Sequence, residues 1–230
     1  MNPSSPNTAR NRHAWFVTGT DTEIGKTFST CALLHAAARA GRSAVGLKPV
    51  AAGTDAQGLN DDVEQILAAS NVKLPKSIVN PFCFEAAIAP HIAAAEEGRS
   101  IDFATITAAV EEARQQAEVV IVEGVGGFCV PLGAQGDSAD LAVALGLPVI
   151  LVVGMRLGCI SHAVLTAEAV TRRGLKLVGW IANHIDPKMS RFAENLETLR
   201  KLMPAPLLGY IPWQPEGGAA GASAALKLPD

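Results

Sequence analysis

The sequence predicts an α/β protein of one domain, with a parallel sheet covered by helices on both faces. Three observations point there. Short runs rich in Val, Ile and Leu alternate with longer helix-like segments. Two of those runs, 118–122 and 148–153, are apolar throughout after their first residue, the pattern of strands buried on both faces. A loop of small residues joins the first run directly to the first helix-like segment.

Each element follows in order. Residues 14–18 read as the first strand, and 26–40 as an alanine-rich helix closed by Gly41. Residues 43–47 form a second short strand, and 62–70 a helix. A short helical piece at 87–97 ends at Gly98. Asp102 can cap a helix running to about residue 116, with charged residues on its outer face. Strands then fall at 118–122, 148–153, 177–182 and 207–211, and helices at 139–145, 161–173 and 189–202. The Gly/Ala/Ser stretch 217–225 reads as flexible chain or a weak helix. Residues 1–13 read as a loose polar tail before a domain spanning 14–230.

Bulk properties narrow the function. The chain has 230 residues, enough for a sizeable core, with 19 basic and 22 acidic side chains and a formal net charge of -3. That balance argues against a nucleic-acid binder, which carries a basic face. The longest strongly apolar run, 147–153, falls far short of the roughly 20 residues that cross a bilayer. The first twelve residues lack the apolar stretch of a signal peptide. Cys31, Cys83, Cys129 and Cys159 are widely spaced, without a C-x-x-C pair, and fit free thiols in a reducing cytoplasm.

In parallel sheets ligands sit beyond the carboxyl ends of the strands. The first strand ends in Gly19-Thr20-Asp21-Thr22-Glu23-Ile24-Gly25-Lys26-Thr27, which opens a helix. Backbone N–H groups in such a loop can cradle phosphate oxygens at the positive end of the helix. Lys26 can reach the outer phosphates, and the Thr27 hydroxyl can bind Mg²⁺. The spacing differs slightly from the usual phosphate loop: Gly19 lies one residue before the usual first glycine. The second strand leads to Lys48, which could meet a transferring phosphoryl group or stand as a solvated lysine. Strand 118–122 leads to Glu123-Gly124-Val125-Gly126-Gly127, where a carboxylate is placed to bind a nucleotide's metal. Asp61 and Asp62 start a helix and suit its dipole. Asn183 could read an adenine edge or shape a turn, with His184 beside it. His91 and His162 read as structural, and no Ser-His-Asp ordering is suggested.

Taken together these stretches resemble the dethiobiotin synthetase family. The resemblance extends to Pro90-His91-Ile92-Ala93, Leu157-Gly158-Cys159-Ile160, Gly179-Trp180-Ile181-Ala182-Asn183 and Ile211-Pro212-Trp213, so it covers about 15–216. It implies a P-loop NTPase-like fold and an ATP- and Mg²⁺-dependent ligase of the cytoplasm. The implied reaction closes the ureido ring of dethiobiotin from 7,8-diaminononanoate and CO₂. Lys26 and Lys48 would be the catalytic residues. Thr22, Glu23, Ile24, Gly25, Lys26, Thr27 and Phe28 would wrap the nucleotide, with Asp62, Glu123, Gly124, Val125 and Gly126 beside it. Thr27, Asp62 and Glu123 would hold Mg²⁺. Asn183, His184, Pro212, Trp213, Gln214 and Glu216 would surround adenine. Thr22, Lys48, Ala52, Gly158, Cys159 and Ser161 would meet the diamine, the last three from the partner subunit of a homodimer.

Three positions depart from the family's habit. Ala52 stands where serine is common, Ser161 where asparagine is common, and Gln214-Pro215 where Leu-Ala is expected. Two other P-loop readings compete. An amide-forming ligase usually carries a glutamine-hydrolysing domain, for which this chain has no room. A partitioning ATPase usually carries a second lysine where this loop has Thr20 or Asp21.

Overall fold

A computed structural model describes residues 13–229. The expected tail therefore lies outside the described residues, except for His13, which opens the first strand. That strand, β1 (His13–Gly19), is followed by α1 (Lys26–Arg39), β2 (Ala44–Leu47) and β3 (Val50–Ala52). Then come α2 (Asp61–Ala69), α3 (Lys76–Val79), β4 (Phe82–Phe84), α4 (Pro90–Glu96) and α5 (Phe103–Gln116). The middle of the chain forms β5 (Val119–Glu123), β6 (Pro131–Gly133), β7 (Gly136–Asp137) and α6 (Ser138–Leu145). The last part gives β8 (Val149–Met155), α7 (Cys159–Arg172), β9 (Leu177–His184), α8 (Phe192–Leu202), β10 (Leu207–Ile211) and α9 (Gly218–Ala222).

Six strands form one parallel sheet in the order β10-β9-β8-β1-β5-β2. The first strand is central, between β5 and β8, with Val17 opposite Glu123 and Gly19 opposite Val152. Parallel pairing brings the carboxyl ends of β1, β2, β5 and β9 to one edge. The motifs at Gly19, Lys48, Glu123 and Asn183 therefore meet there.

The apolar runs are buried as their composition requires. Every residue of β5 and β8 is buried. Their side chains divide between the two faces. Leu151, Val153, Met155 and Trp180 pack with Cys159, Ala163 and Leu199 of α7 and α8. Ile150, Val152 and Ile181 join the larger cluster that includes Leu33, Leu34 and Ala37 of α1. Helices thus cover both faces, as predicted.

The expected helix at 87–97 starts later, at Pro90, because proline suits a first helical position, whereas its missing N–H and its ring's clash with the preceding turn keep it from continuing a helix begun earlier. Asp102 caps α5, accepting from Ala104 and Thr105 N–H. The stretch 217–225 is short helix rather than loose chain, and Ser223 accepts a hydrogen bond from Arg39 of α1. Small parallel and antiparallel pairs, β3–β4 and β6–β7, have no counterpart in the sequence reading. Among the described residues no helix is long and apolar enough to cross a membrane.

Candidate active site

The loop from Gly19 to Thr27 is anchored by Ile24, which is buried. A side chain at Gly19 or Gly154 would collide with it, at 2.8 Å and 2.5 Å from its carbons. The loop then turns through the left-handed region at Glu23 (φ 58) and Gly25 (φ 79) and enters α1. β8 holds its other end. Thr20 N–H donates to the Val152 carbonyl at 3.0 Å, and Arg156 pairs with the Asp21 carboxylate.

Lys26 lies at the first position of α1 and is buried. Its Nζ donates to the Asp21 carbonyl at 2.8 Å. Burial first, and then the Lys48 ammonium, push its pKa down to about 8, against the pull of Glu123, Asp62 and Asp21. Thr27 donates its hydroxyl to Glu123 Oε1 at 2.8 Å.

Lys48 is not the solvated lysine that its residue type suggests: only 4% of it is exposed. Its main chain is fixed on both sides, with N–H donating to Val79 and the carbonyl accepting from Asn80 Nδ2 at 2.6 Å. Its Nζ donates to Glu123 Oε1 at 2.6 Å and to Asp62 Oδ2 at 3.0 Å. Burial works to lower its pKa, but Glu123 and Asp62 outweigh that and hold it above the ordinary lysine value. Asp62 is drawn the opposite way: burial would raise it, but the Lys48 ammonium holds it below the usual carboxylate range. Asn60 caps α2 and donates to the Gly53 carbonyl at 2.7 Å, which sets the direction from which Asp62 approaches.

These contacts test the residues as a metal site. Glu123 is fully buried, and its second oxygen, Oε2, has no hydrogen-bond partner. A buried carboxylate oxygen left open costs free energy unless a cation or donor meets it. Thr27, Asp62 and Glu123 supply a set of hard oxygens of the type Mg²⁺ takes. The residues present fit the ion.

A cavity of about 840 Å³ opens above this cluster. Thr22, Glu23, Gly25, Lys26, Thr27, Phe28, Lys48, Ala52, Asp62, Val125 and Gly126, all singled out in the sequence, line it. Glu123 lies beneath, reached through Thr27 and Lys48. The sequence reading missed one wall: Ala51, Ala87, Ile88, Ala89 and Val130, with Asn60 and Gln65 nearby. Small apolar residues carry no chemical signature in a sequence, and only the tertiary fold brings them together.

The remaining expected residues stand elsewhere. Asn183 lies within β9, not after it, and is buried, with its Nδ2 donating to the Ile24 carbonyl at 2.7 Å. His184 sits with Nδ1 3.1 Å from the Tyr210 hydroxyl and Nε2 2.9 Å from the Asp186 carbonyl, its ring centroid 4.4 Å from that of Phe192. Pro212, Trp213, Gln214 and Glu216 follow β10, with Trp213 44% exposed and Gln214 at φ 45. Gly158, in the left-handed region, caps α7, followed by buried Cys159 and exposed Ser161. None of these lines the cavity formed by this one chain.

Solved structures share the overall fold. The MinD cell division protein of Aquifex aeolicus matches with a TM-score of 0.55 at 16% identity, over 92% of this chain and 87% of that one. FtsY of Thermotoga maritima matches with a TM-score of 0.53 at 14% identity, over 96% and 70%. The likeness at these identities is one of fold: a parallel sheet of the P-loop NTPase-like class. The family model described as "AAA domain" matches residues 13–220. The ATP-dependent dethiobiotin synthetase BioD of Aromatoleum aromaticum is 62% identical over 219 residues, covering 94% of this chain and 97% of that protein. This chain belongs to the dethiobiotin synthetase family, and is thus an ATP-dependent ligase that forms C–N bonds.

Proposed function

We propose that this enzyme closes the ureido ring of dethiobiotin from 7,8-diaminononanoate, CO₂ and ATP. One observation carries the reading. Lys48, Thr27, Asp62 and Glu123 meet through 2.6–3.0 Å contacts at the floor of one cavity, beside a phosphate loop whose Lys26 lines the same cavity. Phosphoryl transfer needs positioning and charge neutralisation rather than a side-chain nucleophile, and that is what this floor supplies.

One amine of the diamine adds to CO₂ and loses a proton, giving a carbamate. A carbamate oxygen attacks the γ-phosphorus of ATP, and ADP leaves. The second amine attacks the carbonyl of the resulting carbamic–phosphoric anhydride. The C–N bond forms as phosphate departs with the bonding pair, the amine's proton passes to phosphate or solvent, and the ring is closed. Lys26 and Lys48 stabilise the charge that develops on phosphoryl and carbamate oxygens. Thr27, Asp62 and Glu123 would hold Mg²⁺, which supplies charge neutralisation at the phosphates. Thr22 lies beside the diamine, and the apolar wall suits its carbon chain.

Adenine is assigned to the β9–β10 end, near His184 and Trp213. The start of α7 is assigned to the partner of a homodimer, where Ser161 would meet the substrate's tail. Exposed Leu157 and Leu165 on that segment support such a contact. Dependence on ATP supports a cytoplasmic enzyme.

The test mixes purified protein with ATP, Mg²⁺, bicarbonate and 7,8-diaminononanoate. ADP and dethiobiotin are expected in equal amounts. ADP without dethiobiotin, or neither product from folded protein, overturns the reading.

A further inference from the structure

Asn183 sits at an unexpected contact. In a planar trans peptide the carbonyl and the N–H point in opposite directions. An anion-binding loop must therefore turn its carbonyls away from the ligand for its N–H groups to face it. Ile24 and Gly25 share the peptide at the tightest point of the loop. Glu23 and Gly25 flank it in the left-handed region, so its orientation is not enforced by a regular helix or strand.

The Ile24 carbonyl is turned away from the cavity, and Asn183 Nδ2 donates to it at 2.7 Å. Asn183 is 6% exposed and rigidly placed in β9, with Gly154 of β8 and Ile211 of β10 on either side. The fit is close on the loop side too: a Cβ at Gly25 would lie 2.1 Å from Nδ2. Other ties, from Val152 of β8 and from Arg156 just after it, hold Thr20 and Asp21, several residues earlier. The Gly25 carbonyl is already engaged, accepting from Ser29 N–H at 3.0 Å and Ser29 Oγ at 2.9 Å.

We infer that Asn183 is a positioning residue of the phosphate loop: its amide holds the Ile24 carbonyl outward, and so aims the Gly25 N–H at the phosphates. This rests on the reading that the loop binds the nucleotide's phosphates. It differs from assigning Asn183 to adenine alone, because its effect reaches ligands that have no base. Without the donor the buried carbonyl loses its partner and can turn inward, where it repels an anion.

The experiment is calorimetric titration with Mg²⁺-tripolyphosphate and Mg²⁺-ATP of the parent, Asn183→Ala and Asn183→Asp. Asn183→Asp keeps the shape but replaces the donor with an acceptor. Both variants are expected to lose about tenfold in affinity for tripolyphosphate, and the same factor for ATP, as one buried hydrogen bond at about 1.4 kcal/mol corresponds to tenfold. Unchanged tripolyphosphate binding with weakened ATP binding would make Asn183 a reader of the base and overturn the inference. A parent that binds neither ligand sinks the phosphate-loop reading itself. Should the variants not fold, side-chain amide NMR of the parent decides. A hydrogen-bond coupling from Asn183 Nδ2 to the Ile24 carbonyl is expected with and without Mg²⁺-ADP, and its loss on binding ADP refutes the role.

Discussion

The two ends of the proposed site are built differently. The phosphate end, where β1, β2 and β5 finish, is a buried lattice of charges. Lys26, Lys48, Thr27 and Glu123 are each less than 10% exposed and touch one another or the loop. The end near β9 and β10 is looser. His184 is held by Tyr210 and Phe192, Trp213 stands 44% exposed, and Gln214 sits at a positive φ of 45°. The contrast follows from the tasks assigned to each end. Charge that develops during reaction is best met by fixed partners in a dry site, whereas a flat aromatic base is held largely by contact area. The first end should govern turnover and the second should govern binding.

Lys26→Ala is the largest predicted effect. It should lower kcat about a thousandfold, the upper range for removing one transition-state donor. The thermal midpoint should barely move, because Lys26 Nζ donates only to a main-chain carbonyl. Steady-state kinetics beside a melting curve checks both. A kcat within a few-fold of the parent would place the chemistry elsewhere and dissolve the contrast.

Next comes the buried ion pair. Glu123→Gln leaves Lys48 buried with half-exposed Asp62 as its remaining charged partner. Breaking one side of such a pair costs about 3 kcal/mol, since the surviving charge stays desolvated. Urea unfolding should show that loss, and the Mg²⁺ concentration needed for half-maximal rate should rise about tenfold. Lys48→Met added to Glu123→Gln removes the orphaned charge, so the double variant should regain stability without regaining activity. If the double variant is less stable than Glu123→Gln alone, the pair is not the stabilising unit described here.

This difference between the ends also explains what the sequence made legible. The phosphate end is written in short contiguous motifs, each at the end of a strand. A lysine after β2 and a glutamate after β5 needed only the parallel sheet to meet. Lys48 was harder, because lysines are usually exposed and its burial depends on Val79 and Asn80 more than 30 positions away. The contact between Asn183 and Ile24 spans 159 positions and depends on sheet order, which strand patterns do not reveal. The wall of Ala51, Ala87 and Ile88 was silent for another reason: such residues read as ordinary core. The strands β3 and β4, with three residues each, are too short to show alternation.

The smallest predicted effect sits at the looser end. Trp213→Ala should raise KM for ATP about fivefold, since stacking of a base on an aromatic ring is worth at least ~1 kcal/mol. Its kcat should stay within twofold, because nothing in the charge lattice touches it. The indole is partly exposed, so its removal leaves no buried void and stability should hold. Measuring kcat and KM with both ATP and GTP separates two explanations. A parallel rise for both nucleotides fits a stacking surface that any base can use. A rise for ATP alone would mean that Trp213 helps to select adenine. An unchanged KM for both would move the base away from β10, and the second half of the comparison would have to be redrawn around a different surface.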